Sequence, residues 1–204
     1  MTEKSHAHAL LGKLENYIQN EFPTDAGIGK SPRELYEPIT YILSLDGKRI
    51  RPLLSLLAYG IYKTNPEAIL SQAAAVEVFH NFTLMHDDIM DDAPLRRGKD
   101  AVHVKWDKNV AILSGDVMLV KAYDLLLPTD ADKLGQVIRL FNKTAAEVCE
   151  GQQFDMNFES LASVNEYEYL NMIRLKTAVL LGFALQLGAL LAGAEKEDAQ
   201  KLYD

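Results

Sequence analysis

The chain has 204 residues with 21 basic and 29 acidic side chains, a net charge of −8 with histidine neutral, and one cysteine. A single domain is expected, since a chain of this length buries about 70% of its unfolded surface. The acidic balance argues against a general nucleic-acid binder, which needs surplus Lys and Arg for the phosphate backbone, so an anionic ligand has to meet a local cluster of cations. Cys149 alone makes neither an internal disulfide nor a multi-cysteine zinc site. It is expected to be a small buried thiol in a reducing, cytoplasmic setting.

In chain order, the N-terminal segment carries His6 and His8 without an apolar run, so no secretory signal is expected. Apolar residues then recur at spacings of three and four, with almost no period-two alternation, which predicts an all-α protein. Helices are predicted over 7–20, 32–44, 52–62, 67–91, 107–127, 131–158, 164–175 and 177–192, several of them opening at a proline. The most apolar stretch, 178–194, has 17 residues with Gln186 near its middle. It falls short of the roughly 20 residues of a bilayer span and is expected to be a buried helix. Residues 195–204 read as the opening of a further amphipathic helix without a Gly or Pro stop, so the chain is expected to be cut short.

Chemistry concentrates at Asp87-Asp88-Ile89-Met90-Asp91-Asp92, where the long helix from residue 67 ends. Residues four apart share a helix face, so Asp87 stands above Asp91 and Asp88 above Asp92. Carboxylates crowded this way repel, and negative charge at a helix C-terminus opposes the macrodipole. A hard divalent cation removes the conflict, because Mg²⁺ keeps waters while linking one or two carboxylates to a substrate phosphate. The competing reading is a solvated acidic helix end, against which the apolar Phe79, Phe82, Leu84, Met85 and Ile89 argue. An EF-hand does not fit, since residues 87–98 lack its alternating oxygen ligands and terminal Glu.

Pro94-Leu95-Arg96-Arg97-Gly98 follows on an expected loop. Its arginines suit bidentate capture of phosphate oxygens, or else pair with the neighbouring aspartates. Upstream, Lys48, Arg49 and Arg51 crowd a helix start, where backbone N–H groups also attract anions. His80, seven residues before Asp87, lies on the same side of the helix. It is placed either to donate to an anion or to be a satisfied core residue. Two later segments, Glu150-Gly151-Gln152-Gln153-Phe154-Asp155 and Lys176-Thr177, gain meaning only if the helices bring them to one cavity.

Taken in order and spacing, GKRIRP, HNFTLMHDDIMDD, RRG, GDVML (Gly115 to Leu119), EGQQFD and KTA (Lys176 to Ala178) resemble the trans-isoprenyl diphosphate synthases, the polyprenyl synthetase family. The match runs from about Gly47 to Ala178. Terpene cyclases share an aspartate-rich motif, but the basic turn and the arginine pair point to the chain-elongating branch. The resemblance implies an all-α, isoprenoid synthase-type bundle around a central cavity, a single domain over 1–204. It further implies a homodimer that joins isopentenyl diphosphate to an allylic diphosphate with Mg²⁺ as cofactor, without nucleic acid or stable membrane insertion.

By the same resemblance, Asp87 and Asp91 bind Mg²⁺ and through it the allylic diphosphate, with Asp88 beside them in the catalytic set and Asp92 of unassigned role. Arg96, Lys176 and Thr177 contact the allylic diphosphate, and Lys176 joins the catalytic set. Lys48, Arg51, His80 and Arg97 hold isopentenyl diphosphate. Gln152 and Asp155 match a GQxxD stretch lining the metal and allylic site, with Asp155 a further metal ligand. Cations would stabilise negative charge on the departing diphosphate, an apolar cavity would shield the carbocation from water, and the diphosphate itself would take the final proton.

Product length is partly legible. Phe82 and Thr83, five and four residues before Asp87, border by resemblance the cavity that receives the growing chain. An aromatic there, without the two-residue insertion of bacterial farnesyl enzymes, looks like the C20 type, and C15 stays open if Phe82 only packs against a neighbouring helix. Two departures stand out. Asp46 replaces the first of two glycines often found before the lysine, and no second aspartate-rich motif follows KTA before Asp204. The expectation is therefore the N-terminal two-thirds of a synthase, its C-terminal helices missing, with little condensing activity as written. The rivals are a noncatalytic partner subunit of a heteromeric synthase and a plain helical scaffold.

Overall fold

Ten helices and one short hairpin account for most of residues 3–23 and 31–204, which the computed structural model describes. They are α1 (Glu3–Glu21), α2 (Arg33–Ser44), α3 (Ile50–Tyr62) and α4 (Leu70–Met90), the last entered through a 3₁₀ turn at Pro66–Ile69. Strands β1 (Leu95–Arg96) and β2 (Lys99–Asp100) follow, then α5 (Val102–Lys105), α6 (Lys108–Leu126) and α7 (Ala131–Phe158). The chain continues through α8 (Glu166–Ile173), a π turn at Arg174–Ala178, α9 (Val179–Leu191) and α10 (Lys196–Tyr203). Every predicted helix is present, and the all-α class stands. The chain gathers into two compact units, one of Met1–Leu53 with Leu70–Pro128 and one of Leu54–Ile69 with Thr129–Asp204.

In the first unit α4 is the central element, buried at every residue from Gln72 to Phe79. Ala73, Ala74 and Ala75 keep that helix slim, so α6 packs closely along it. Polar ties hold the two helices in register at one end, where Ser71 Oγ donates to the Leu125 carbonyl at 2.8 Å and Gln72 Nε2 to that of Pro128 at 2.9 Å. At the other end Gly115, from GDVML, faces the His86 ring, and a Cβ there would collide with it. The sequence explains where α6 starts: Asp107 Oδ1 accepts from the Val110 N–H at 2.9 Å, an N-cap that satisfies one of the unpaired amides of the first turn.

In the second unit α9 is buried along nearly its whole length, with Phe183 meeting Phe141 of α7 at 5.9 Å between ring centres. Each such fully buried ring stabilises the fold by about 2 kcal/mol. Gly188 admits the Ser55 carbonyl where a side chain would stand, and Gly182 admits Tyr203 of α10. Gln186, the polar residue in this apolar stretch, is satisfied by Gln200 at 3.1 Å. The helical run Glu166–Leu191 is 26 residues long, continuous through the π turn, where the sequence divided it in two. By length and composition it is long enough to cross a membrane, but its apolar side chains form the core of this unit.

Candidate active site

The aspartate cluster ends α4, but not as four carboxylates in two aligned pairs. The last helical bond runs from the Asp91 N–H to the Asp87 carbonyl at 2.8 Å, and the Ala93 N–H then reaches back to the Asp88 carbonyl at 2.9 Å. Asp92 takes the left-handed conformation, φ 51°, that closes such a helix end. That backbone turn separates Asp88 from Asp92. Asp88 is buried at 1% exposure, where Arg96 Nε grips both its oxygens at 3.0 and 3.1 Å and Arg96 Nη2 makes a further short bond. Asp92 is exposed and pairs with Lys108 at 2.8 Å, which holds its carboxyl below the usual range.

The remaining carboxylates, Asp87 and Asp91, stay on the same last turn, Asp87 partly exposed and Asp91 exposed. Asp87 Oδ2 lies 3.9 Å from Arg96 Nη2. Among the described residues no group of three or more His, Cys, Asp or Glu gathers into a protein cage for a metal. Two adjacent carboxylates, the partly exposed Asp87, whose Oδ1 is buried, and the exposed Asp91, nonetheless fit Mg²⁺, which takes one or two such ligands together with water and phosphate.

Arg96 and Arg97 stand on a hairpin, not the open loop expected. β1 and β2 pair Leu95 with Asp100 and Arg96 with Lys99, and Arg97-Gly98 make the two-residue turn with φ 53° and 75°. Both central residues have positive φ, the type I′ pattern whose twist suits two adjacent strands. The hairpin is anchored by the Ala101 N–H to the Pro94 carbonyl at 3.0 Å and by the Tyr41 hydroxyl to the Asp100 carbonyl at 2.9 Å. Lys105 caps the Tyr41 ring at 3.8 Å, and Trp106 packs edge-on against that ring at 5.3 Å.

Beside the carboxylates lies a cationic group. Arg51 Nη1 is 3.2 Å from His80 Nε2. A guanidinium only donates, so this ring nitrogen accepts and Nδ1 carries the proton. Burial, with Arg51, Arg97, Arg96 and Arg49 around the ring, pushes the His80 pKa down to about 3. The imidazole is therefore neutral at pH 7. Burial lowers the Arg51 pKa and partial burial that of Arg97. Neither arginine forms an ion pair with a described carboxylate, while Arg96 is matched by Asp88 and Arg49 by Glu77. Lys48 is exposed at the turn. Phe82 packs within its own helix, 5.7 Å from Phe79 and 4.7 Å from His86, and Thr83 Oγ1 donates back to the His80 carbonyl at 2.8 Å.

The second unit holds the rest of the expected set. Lys176 Nζ bonds Asp155 Oδ2 at 2.6 Å. Gln152 Nε2 is buried without a hydrogen-bond partner among the described residues, and Thr177 is exposed. Lys176 and Thr177 lie in the π turn, whose backbone passes so close to Gly151 that a Cβ there would collide with Leu175 and Lys176. Cys149, expected to be buried, is exposed on α7, because its helical position falls outside the apolar stripe of Thr144, Val148 and Gly151.

This layout has counterparts among known proteins. Residues 32–204 match the family model described as polyprenyl synthetase. The chain belongs to the polyprenyl synthetase family. A geranylgeranyl diphosphate synthase of Methanosarcina mazei is 44% identical over 173 residues, 84% of this chain and 53% of the relative. A solved geranylgeranyl pyrophosphate synthase superposes with a TM-score of 0.86 at 50% identity, over 95% of this chain and 59% of that one. The geranylgeranyl pyrophosphate synthetase of the archaeon Geoglobus acetivorans gives 0.89 at 33% identity, over 98% and 63%. The chain spans about half the length of the curated relatives it matches.

In the first unit of this polyprenyl synthetase, the sequence reading named Arg49 only as one of the cations at a helix start and passed over Glu77, which bonds Arg49, and Asn81, which bonds Glu77. The signal was present in Ala73-Ala74-Ala75-Val76-Glu77-Val78-Phe79, where one carboxylate interrupts an apolar run in the middle of a helix. A buried charge requires a partner, and here Arg49 from another element and Asn81 from the same helix supply it.

Proposed function

We propose that the protein is a trans-prenyltransferase that joins isopentenyl diphosphate to an allylic diphosphate and releases a C20 diphosphate. The observation that carries this reading is a pair of adjacent carboxylates, the partly exposed Asp87 and the exposed Asp91, set beside arginines of which two, Arg51 and Arg97, form no ion pair with a described carboxylate. Excess cationic charge next to acidic oxygens suits a diphosphate bridged by a divalent ion.

Asp87 and Asp91 would hold Mg²⁺; in the second unit, Asp155 is proposed as a metal ligand in its own right. Bound there, magnesium would supply charge stabilisation for the departing diphosphate. In the first unit Arg96, oriented by Asp88, is the proposed contact for the allylic diphosphate; in the second unit Lys176 and Thr177 are proposed as diphosphate contacts, and Gln152 offers its buried amide. Lys48, Arg51 and Arg97 hold isopentenyl diphosphate, and neutral His80 donates from Nδ1. Phe82, with Thr83, limits the growing chain, and the names of the similar proteins support the C20 length. A homodimer is supported by an apolar groove of about 350 Å³ on α6, lined by Leu35, Val110, Leu113, Val117 and Val120. The cytoplasm is the compartment assigned.

The test is a condensation assay, on the chain extended to the full length of its relatives, with labelled isopentenyl diphosphate, a C15 allylic diphosphate and Mg²⁺. The expected outcome is a C20 product, with Asp87→Ala lowering the rate by about 10³, or about 4 kcal/mol of transition-state stabilisation. Turnover that requires a second polypeptide and is indifferent to Asp87 would establish the noncatalytic partner subunit instead.

A further inference from the structure

Of the cations between Asp46 and Arg51, Arg49 alone is buried, its side chain 8% exposed against Glu77 at 2%. Its backbone is left-handed, φ 46°, immediately before α3 begins. Nη1 donates to Glu77 Oε1 at 2.5 Å, while Nη2 donates to the Leu43 and Leu45 carbonyls at 2.7 and 3.0 Å. Those carbonyls close α2, where helical partners run out. One guanidinium thus ties the end of α2 and the start of α3 to the middle of α4. Asn81 Nδ2 steadies the carboxylate, bonding Glu77 Oε1 at 2.9 Å.

Both arginines that pair with no described carboxylate connect to this junction. The Leu45 carbonyl that Arg49 holds also accepts from Arg97 Nη1 at 3.2 Å. The Arg97 guanidinium lies against Gly47, 3.0 Å from where a Cβ would stand. Arg51 follows Arg49 by two residues and meets His80, which follows Glu77 by three and so lies beside it on α4. Arg49–Glu77 and Arg51–His80 are therefore neighbouring rungs between the turn and the helix. Arg49 itself, buried and neutralised, is closed to a ligand. We propose that Arg49 and Glu77 are positioning residues, a buried clamp that sets Arg51 and Arg97 for diphosphate. The clamp rests on the reading of those two arginines as diphosphate ligands.

The test is calorimetric titration with isopentenyl diphosphate and with inorganic diphosphate, alongside the imidazole ¹⁵N spectrum of His80, in the parent, Arg49→Lys and Glu77→Gln. A lysine keeps the charge but cannot span three acceptors in one plane. Both variants are expected to retain helical circular dichroism, to lose about tenfold or more in affinity for both ligands, and to lose the fixed Nδ1–H pattern at His80. Charge alone predicts the opposite, since Glu77→Gln adds a net positive charge and should tighten binding. Affinities within about twofold of the parent, or tighter, with the His80 spectrum unchanged overturn the clamp. If only Arg49→Lys fails to fold, Glu77→Gln decides. Loss of fold in both overturns it too, because the pair then serves the stability of the whole unit. If the parent binds neither ligand, the diphosphate reading of Arg51 and Arg97 fails instead, and the His80 spectrum alone decides the positioning.

Discussion

His80 ties the site's electrostatics to a measurable pH dependence. Its folded pKa, about 3, lies below the ordinary 6.5, so the unfolded chain binds the extra proton first as pH falls. The contribution is intact above about pH 6.5 and is lost as pH drops toward about 3. The groups facing the ring are Arg51, Arg97, Arg96 and Arg49, with Glu77 opposing them through Arg51 and Arg97. Relative to His80→Asn, the parent should lose about 2 kcal/mol of stability between pH 7 and pH 5, read by urea unfolding at each pH. Parallel pH profiles would contradict the neutral imidazole. The aspartates separate as sharply. Asp88→Asn should cost about 2 kcal/mol, discounted for the quarter-exposed Arg96, and should weaken diphosphate binding. Asp92→Asn should leave unfolding and binding unchanged, since its partner Lys108 lies on the surface. The sequence placed Asp87 and Asp88 at a helix end correctly. It could not show that Arg96 takes Asp88 for itself, because helical periodicity says nothing of which side chain folds back onto the turn.

At the scale of elements, the helices were legible because their apolar stripes are long, and two finer devices were not. The hairpin has only two residues per strand, too few for alternation to register, and its turn signal is the single Gly98. The π turn at Arg174–Ala178 leaves no mark in composition, and its mate is Gly151 in another helix, 25 positions before Lys176. Gly151→Ala should therefore destabilise by about 2 kcal/mol through overpacking and break the Lys176–Asp155 bond, measured as a fall in urea midpoint. Gly60, also in a helix, has nothing within 4 Å of its would-be Cβ. Gly60→Ala should raise the midpoint by the roughly 0.5–1 kcal/mol of helix propensity. Opposite signs at two helical glycines distinguish close packing from intrinsic preference, and equal signs would contradict the Gly151 contact.

At the scale of the whole molecule, the family could be read from the order of six motifs, and the fold followed from it. The division into two units could not, since α3 runs across the boundary without a linker and no change of composition marks it. Each unit contributes its own chemistry: the carboxylates, the paired and unpaired arginines and His80 in one, the Lys176–Asp155 pair with Gln152 in the other. The central claim concerns the first of these, that Asp87 and Asp91 seat a divalent cation through which a diphosphate is held. Its most direct measurement is calorimetric titration of a non-ionisable allylic diphosphate analogue with Mg²⁺ and with EDTA, in the parent and in Asp87→Asn. Binding should require Mg²⁺ and fall by about 100-fold in the variant, the loss of about 3 kcal/mol of charge pairing. Equal affinity in EDTA, or an unchanged affinity in Asp87→Asn, would contradict it.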